Sequence, residues 1–415
     1  MKYFIHSFIL VLFIVSLEAN DKLFVACEGN FYEPGSGSLA IIDEFGNVQH
    51  IDNLGSVVNS VMVFEDRLFV LVNDSSEILV YDIFDDGIYL AEEISTDGSG
   101  PREMIVYNRK GFITNWYSMD IKVLDLDTLE FLASIPVNGL PEDIINHGES
   151  IWATVPMNSD WSNGNTVLKI NPINYEIVSS YDVGAGPQEI VADDNYVYVS
   201  KIWYDDSWNA FHGTSRIDSQ SGDVLSVNYG AGIACAGGIV KFNNQIYRSF
   251  DGGIAPIDNE LNIITSERIG DYGYWNVYSL EVIDDKVYFG LSDYTDPDYV
   301  AVVDENGNEV GYYEVNILPG DFSVWNSCTA SGDMNNDNEL NISDIIIAVD
   351  NIIDGGPYSC SADLNEDGNV DILDIILMVE NVLNLPTDGA INWLRYHFPK
   401  LQIEKRMIDL DSRIK

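Results

Sequence analysis

A short apolar strand returns seven times along the first three quarters of the chain: KLFVACE, RLFVLVN, KGFITNW, SIWATVP, NYVYVSK, NQIYRSF and DKVYFGL, starting at Lys22, Arg67, Lys110, Ser150, Asn195, Asn244 and Asp285. The interval is 40 to 49 residues. Each run leads to a second strand that ends near an acid or amide, namely Asp43, Asp82, Asp125, Asn171, Asp218, Asp258 and Asp304. Such a residue suits a turn, because Asp and Asn side chains accept hydrogen bonds from the backbone two residues on. A third strand follows, then a turn such as SGPRE, GLPED or GAGPQE, then a strand such as MIVYN or IVADD.

Four short strands per repeat with a period in the forties is the grammar of a β-propeller blade, and seven repeats predict a seven-bladed ring. Over roughly Lys22 to Trp325 the pattern resembles the YVTN and NHL-like propellers of exported bacterial proteins. The chain enters at the second strand of the first blade. Its last strand, near Asp321 to Trp325, is expected to supply that blade's innermost strand, closing the ring and removing an exposed sheet edge.

Strands alternate in direction, so second-to-third-strand loops and blade-to-blade links emerge on one face. Trp116, Trp161, Trp203, Trp208 and Trp275 fall in or beside those connections, with Tyr117, Tyr204, Phe211 and Tyr274. Aromatics beside Asp and Asn suit sugar rings, whose apolar faces stack while their hydroxyls form hydrogen bonds; packing between blades is the competing role. Near the start of each innermost strand the equivalent positions read Ser60, Glu103, Asp143, Glu189, Gly238, Ser279 and Asp321. Acids around a common axis can hold a cation or raise one another's pKa. The favoured role is bonding between neighbouring blades, because no separate nucleophile, base and orienting group can be named.

Downstream the periodicity changes. Two twelve-residue segments, DMNNDNELNISD at Asp333 to Asp344 and DLNEDGNVDILD at Asp363 to Asp374, each precede a run with a 3.6-residue apolar repeat. Their oxygens match the spacing by which a loop wraps a hard cation: Asp333, Asn335, Asp337, Asn341 and Asp344, then Asp363, Asn365, Asp367, Asp371 and Asp374, with backbone carbonyls from Glu339 and Asn369. The 30-residue repeat, the terminal Asp where EF-hands carry Glu, and the missing entering helix resemble the type I dockerin module over roughly Cys328 to Leu385. That resemblance implies two calcium ions and a cohesin-type partner. The recognition positions differ: loop positions ten and eleven, a Ser-Thr pair in well-studied dockerins, read Ile342-Ser343 and Ile372-Leu373, and the basic pair further along the helix is absent. Asn338 stands at the sixth loop position, where the second loop has Gly368; Asn tolerates the left-handed conformation. Cys328 and Cys360 sit just ahead of the two loops and form a natural disulfide pair in an exported module. Cys27 and Cys235 are expected to carry no bridge.

The first twenty residues, with Lys2 and an apolar run from Phe8 to Leu17, read as a secretory signal rather than a span. Cys27 faintly resembles a lipoprotein box, but Glu18, Asp21 and Lys22 separate it from the apolar run. The formal charge of -47 disfavours nucleic acid and anionic membrane surfaces, and matches either a salty habitat or cationic and neutral ligands. Only His50, His147, His212 and His397 remain after the signal, none with ligand spacing, which argues against zinc and His-dependent triads. Residues 386–415 hold six of the twenty basic residues and read as a separate tail.

The sequence thus predicts an all-β seven-bladed propeller over 21–326, an α-helical dockerin-like calcium module over 327–385, and a basic tail. The expected function is an exported calcium-binding protein whose propeller takes an extracellular ligand, most simply a carbohydrate. Two rivals remain: a polysaccharide hydrolase or lyase, which requires an essential channel acid, and a structural surface protein without sugar affinity.

Overall fold

The computed structural model describes residues 21–232, 237–273, 275–283, 285–295, 297–326, 331–334, 340–354, 359–365 and 369–383. The signal, the basic tail, Cys235, Tyr274, Cys328, Asn335, Asp337, Glu339, Asp367 and the side chain of Cys360 lie outside the described residues. The chain divides into two compact units between Asn326 and Ser327.

The first unit is a ring of seven antiparallel sheets. The innermost strands are Pro319–Trp325, Val58–Phe64, Pro101–Tyr107, Ile144–His147, Pro187–Ala192, Ile239–Phe242 and Val277–Ile283, in blades one to seven. Three of them begin with Pro, which fits a strand start because no ladder N–H is needed there. Ring closure follows the expected scheme. Pro319–Trp325 pairs antiparallel with Lys22–Cys27, placing Leu23 opposite Val324 and Ala26 opposite Asp321. The Trp325 indole N–H donates to Asp66 at 2.9 Å, and the Lys22 ammonium lies 4.7 Å from the Trp325 ring centre.

There is no single core. Seven apolar clusters each fill the seam between two adjacent blades. Phe24 and Leu39 of the first blade pack with Val70 and Leu79 of the second, and Phe112 and Val123 of the third with Ile151 and Leu168 of the fourth. The apolar runs are therefore buried on both faces, which is why they read as near-continuous hydrophobic stretches rather than alternating ones. Cys27 shares this fate: its thiol is fully buried beside the Val25 carbonyl, a position incompatible with lipid attachment. Where strands of one blade pinch together at the strand start, backbone needs glycine. Gly186 has φ +66, and a Cβ there would meet the Ile202 carbonyl oxygen at 1.8 Å.

Two details differ from the sequence pattern. Six of the seven turn residues accept backbone N–H bonds as expected, for example Asp125 from Asp127 and Thr128, and Asp304 from Asn306 and Asn308. At Asp82 the strand instead runs on to Phe84, and the carboxylate meets the Arg67 guanidinium at 3.3 Å. The sixth blade has three named strands rather than four. Its third strand, Gly253–Pro256, ends at a residue that cannot donate to a ladder, and the outer position is taken by isolated bridges, Ile254 to Ile269 and Ile257 to Ile263.

In the second unit, helix α1 spans Ile342–Asp354 and helix α2 spans Ile372–Val382. Met334, Leu340, Ile345 and Ala348 follow the first loop start at the same intervals as Leu364, Val370, Ile375 and Met378 follow the second, and all eight share one small cluster. The repeat in sequence is thus a repeat in packing.

Candidate functional site

Inner-strand side chains alternate, so every second one faces the axis. The result is a cavity of about 730 Å³ along the ring centre. Its mouth carries Glu28, Glu103, Glu142, Asp143, Glu189, Glu281 and Asp321 against Arg102 and Lys241, and Met62, Ile105, Ile145, Val191 and Val282 line it too. Three ring acids tie neighbouring blades together. Asp321 accepts the Val61 N–H at 2.8 Å, Asp143 accepts those of Ile144 and Ile190 at 2.7 Å each, and Glu189 accepts that of Ile239 at 3.1 Å. This is the structural role favoured from sequence. Gly238 leaves a gap in the ring that the Leu280 side chain fills, since a Cβ there would lie 2.5 Å from it.

These carboxylates touch the channel but sit away from bulk water, so burial disfavours their charged forms. Burial pushes Asp143 up to about 7 against its two N–H donors, and Asp321 up to about 6. Burial and then the Asp143 charge carry Glu189 to about 8. Glu103 and Glu281 lie well above the carboxylate range, through burial first and then repulsion from Asp321 and Asp143. The Ser60 hydroxyl lies beside Glu103 and Asp321 yet makes no hydrogen bond of good geometry.

Seven participants were not singled out from sequence: Glu28, Asn59, Arg102, Glu142, Lys241, Tyr278 and Glu281. Arg102 forms a bidentate pair with Glu142 of the next blade (2.6 and 3.2 Å), bonds Asn59 of the preceding one, and stacks 4.3 Å from the centre of the Trp116 ring. The signal was available, because Asn59, Arg102 and Glu142 each stand one residue before a ring position, where opposite charges in adjacent blades face each other. Glu281 stands two residues after Ser279 and so on the same face of its strand. Beside the channel, Glu28, Arg102 and Tyr278 also border a second cavity of about 430 Å³ with Phe31, Trp116 and Tyr117.

The five Trp residues all fall in or beside the expected connections, Trp203 near the end of strand Tyr196–Tyr204, but divide by role. Trp116 is half-buried between Arg102 and the edge of Trp161, and Trp203 stacks on Phe211 within its own hairpin at 5.8 Å. Trp161, Trp275 and Trp208 are 58%, 62% and 82% exposed. Trp161 and Trp208 occupy left-handed backbone, φ +67 and +62. Both stand fourth in a five-residue turn that recurs in other blades, where the same place holds Gly46, Leu261 and Gly307. Leu261 is fully buried, which offsets its strain; Trp208 is exposed, its ring tilted against Tyr204 at 6.2 Å between centres. The Asn163 amide bonds the Tyr204 carbonyl at 2.8 Å, joining the two Trp-bearing loops.

In the second unit Asp344, Asp363 and Asp374 are buried. Asp344 accepts N–H bonds from Met334 and Asn341, and Asp374 from Asn365, one loop position further on than Met334, and Asp371. Burial raises the Asp374 carboxyl, with Asp363 and Asp371 adding repulsion. From Ser327 to Leu385 the sequence has nine Asp, three Glu and no Lys, Arg or His, so the segment supplies no basic side chain to pair with these carboxyls. Among the described residues no three acidic, His or Cys side chains stand together as an ion site, and the loop centres 335–339 and 366–368 lie outside them.

No protein-family model matches this chain, and no curated protein matches it in sequence. Solved structures match in fold. A functionally unknown protein from Desulfotomaculum acetoxidans aligns with TM-score 0.56 and 11% identity over 74% of this chain and 100% of its own. A candidate 6-phosphogluconolactonase from Bacteroides fragilis gives 0.53 and 11% over 74% and 98%, and a hypothetical selenium-binding protein from Sulfolobus tokodaii 0.55 and 9% over 75% and 93%. At such identities the shared property is architecture. The chain contains a seven-bladed β-propeller, followed by a further unit with two short helices.

Proposed function

We propose that this is an exported, modular binding protein whose propeller holds a carbohydrate on its Trp-bearing face and whose second unit is a calcium-ordered, dockerin-like docking module. The observation that carries the propeller reading is the pair of exposed Trp residues at left-handed corners. A non-glycine residue there costs about 1–2 kcal/mol, and holding a largely exposed indole at such a corner, with ring contact to Trp116 or Tyr204 alone, supports its use. An exposed indole offers an apolar face for a sugar ring, and Asp160, Asp205 and Asn209 supply polar partners in the same turns.

In the module, Asp333, Asn341, Asp344, Asp363, Asn365, Asn369, Asp371 and Asp374, with Asn335, Asp337, Glu339 and Asp367 from the loop centres, would hold the two calcium ions. Buried carboxylates in a segment with no base of its own fit a divalent cation, which would neutralise them and order the loops. The tenth loop positions, Ile342 and Ile372, are 68% and 64% exposed, so the recognition surface offered to a cohesin-type partner is apolar rather than hydroxylic.

An acid-base enzyme in the channel is less well supported. Both oxygens of Asp143 already accept backbone N–H bonds, which opposes their use in proton transfer.

The test is affinity electrophoresis of the whole chain through gels containing neutral polysaccharides, beside Trp161→Ala/Trp208→Ala. Retardation lost in the variant supports the reading; migration unaffected by every polymer, or equal retardation of both proteins, removes the sugar site.

A further inference from the structure

The blade ties account for Asp143, Glu189 and Asp321, but Glu103, Glu281 and the Ser60 hydroxyl face the same cavity and have no such duty. Ser60 is 1% exposed and lines the cavity, its hydroxyl held beside the Glu103 and Asp321 carboxyls without a hydrogen bond of good geometry to either. A polar group so loosely held beside two carboxyls can turn toward a ligand group.

We infer that the channel mouth binds an organic cation carrying two or more separated ammonium groups, of the polyamine class. Three observations select that chemistry. The lining acids outnumber the lining bases seven to two, and Arg102 is already committed to Glu142, Asn59 and the Trp116 ring. The acids are distributed around the ring, and among the described residues no three of them converge as a compact metal site, so separated charges match them better than one ion. Met62, Ile105, Ile145 and Val191 also line the cavity, giving apolar surface for methylene stems between charged heads. A cavity of about 730 Å³ is ample for such a ligand. The raised carboxyls are consistent with this. Held partly protonated when the channel is empty, they would ionise opposite an ammonium and release protons on binding.

The site is separate from the Trp corners, so the two readings fail independently. The probe is spermidine, titrated calorimetrically into the full chain with calcium present to occupy the second unit. Butylamine serves as the single-charge control. Glu103→Gln and Glu281→Gln leave the blade ties intact, Asp85→Asn/Asp86→Asn removes charge from an exposed turn at a third-to-fourth-strand connection, and Trp161→Ala/Trp208→Ala tests independence. The expected result is saturable 1:1 binding, weakened at least tenfold by either channel variant and tenfold weaker for butylamine. It is unchanged in the turn and Trp variants, and its heat varies with buffer ionisation enthalpy. Absence of saturable binding, or equal weakening in the turn variant, overturns the site and leaves only diffuse attraction to a chain of charge -47. Should one channel variant unfold, the other decides.

Discussion

Mild acidification from pH 8 to 6.5 should stabilise the propeller. Glu189 titrates at about 8 in the folded ring, against 4.5 for the ordinary group, and Asp143 at about 7 against 3.8. Between those values the folded state holds protons that the unfolded chain has released. Stability therefore falls as pH rises. One pKa unit corresponds to about 1.4 kcal/mol, so Glu189 at full weight contributes about 2 kcal/mol over this interval, and its coupling to Asp143 reduces the realistic gain to about 1–2 kcal/mol. For a unit of this size that is roughly 2–6 °C in melting temperature. The window has physical limits. Above pH 8 Lys201 interferes, since burial lowers it to about 8 from 10.5 and its contribution is lost as pH falls from 10.5 toward 8. Below 6.5 the half-buried His147 and His212, both lowered by burial, oppose further acidification. Differential scanning calorimetry at constant ionic strength, with Glu189→Gln and Asp143→Asn alongside, reads the effect. A melting temperature that climbs with pH from 6.5 to 8, or a slope identical in both variants and the parent, would refute the reasoning.

Three further outcomes follow from particular residues. Arg248 is 1% exposed and donates to the Gly238 and Gly213 carbonyls and the Thr214 hydroxyl, so Arg248→Met should leave buried acceptors unpaired and cost about 3 kcal/mol, read as a lower urea midpoint at constant m-value. Trp208→Gly should raise stability slightly, by up to about 1 kcal/mol of relieved strain, read as a higher melting temperature, while abolishing polysaccharide retention; a loss of stability would mean that the Tyr204 contact outweighs the strain. Asp333→Ala with Asp363→Ala should remove calcium-induced helicity and the heat of calcium binding, and an unchanged calcium response in circular dichroism would sink the ion assignment.

The seven blades and their closure were legible because strand pairing depends on periodicity and turn chemistry, both local properties. The second strands observed at Arg67–Val72 and Ser150–Met157 begin where the apolar runs do. The sixth blade was less readable, since losing an outer strand depends on Pro256 and on which bridges the following loop forms. Turn spacing also hid the meaning of Trp161 and Trp208: their place in the chain looks like any loop until the turns are superposed and Gly46 and Gly307 fall at the same corner. The channel was half legible. Ring acids could be aligned by repeat, but the Arg102–Glu142 pair joins different blades, and the second layer at Glu281 needs the strand's alternation rather than its alignment. In the second unit, matched loops predicted matched packing, and Leu340 and Val370 do occupy equivalent places in one cluster.

The seam between Lys22–Cys27 and Pro319–Trp325 joins segments some three hundred positions apart, whereas the other six blades use neighbouring chain. Loop-closure entropy for that span is about 5 kcal/mol, set against one strand's worth of pairing and packing. During synthesis the first blade must wait, its inner edge unpaired, until nearly the entire propeller has been made. A chain that stops short of residue 319 cannot complete the circle, so the seam acts as a check on length: only molecules translated through the last propeller strand become closed rings.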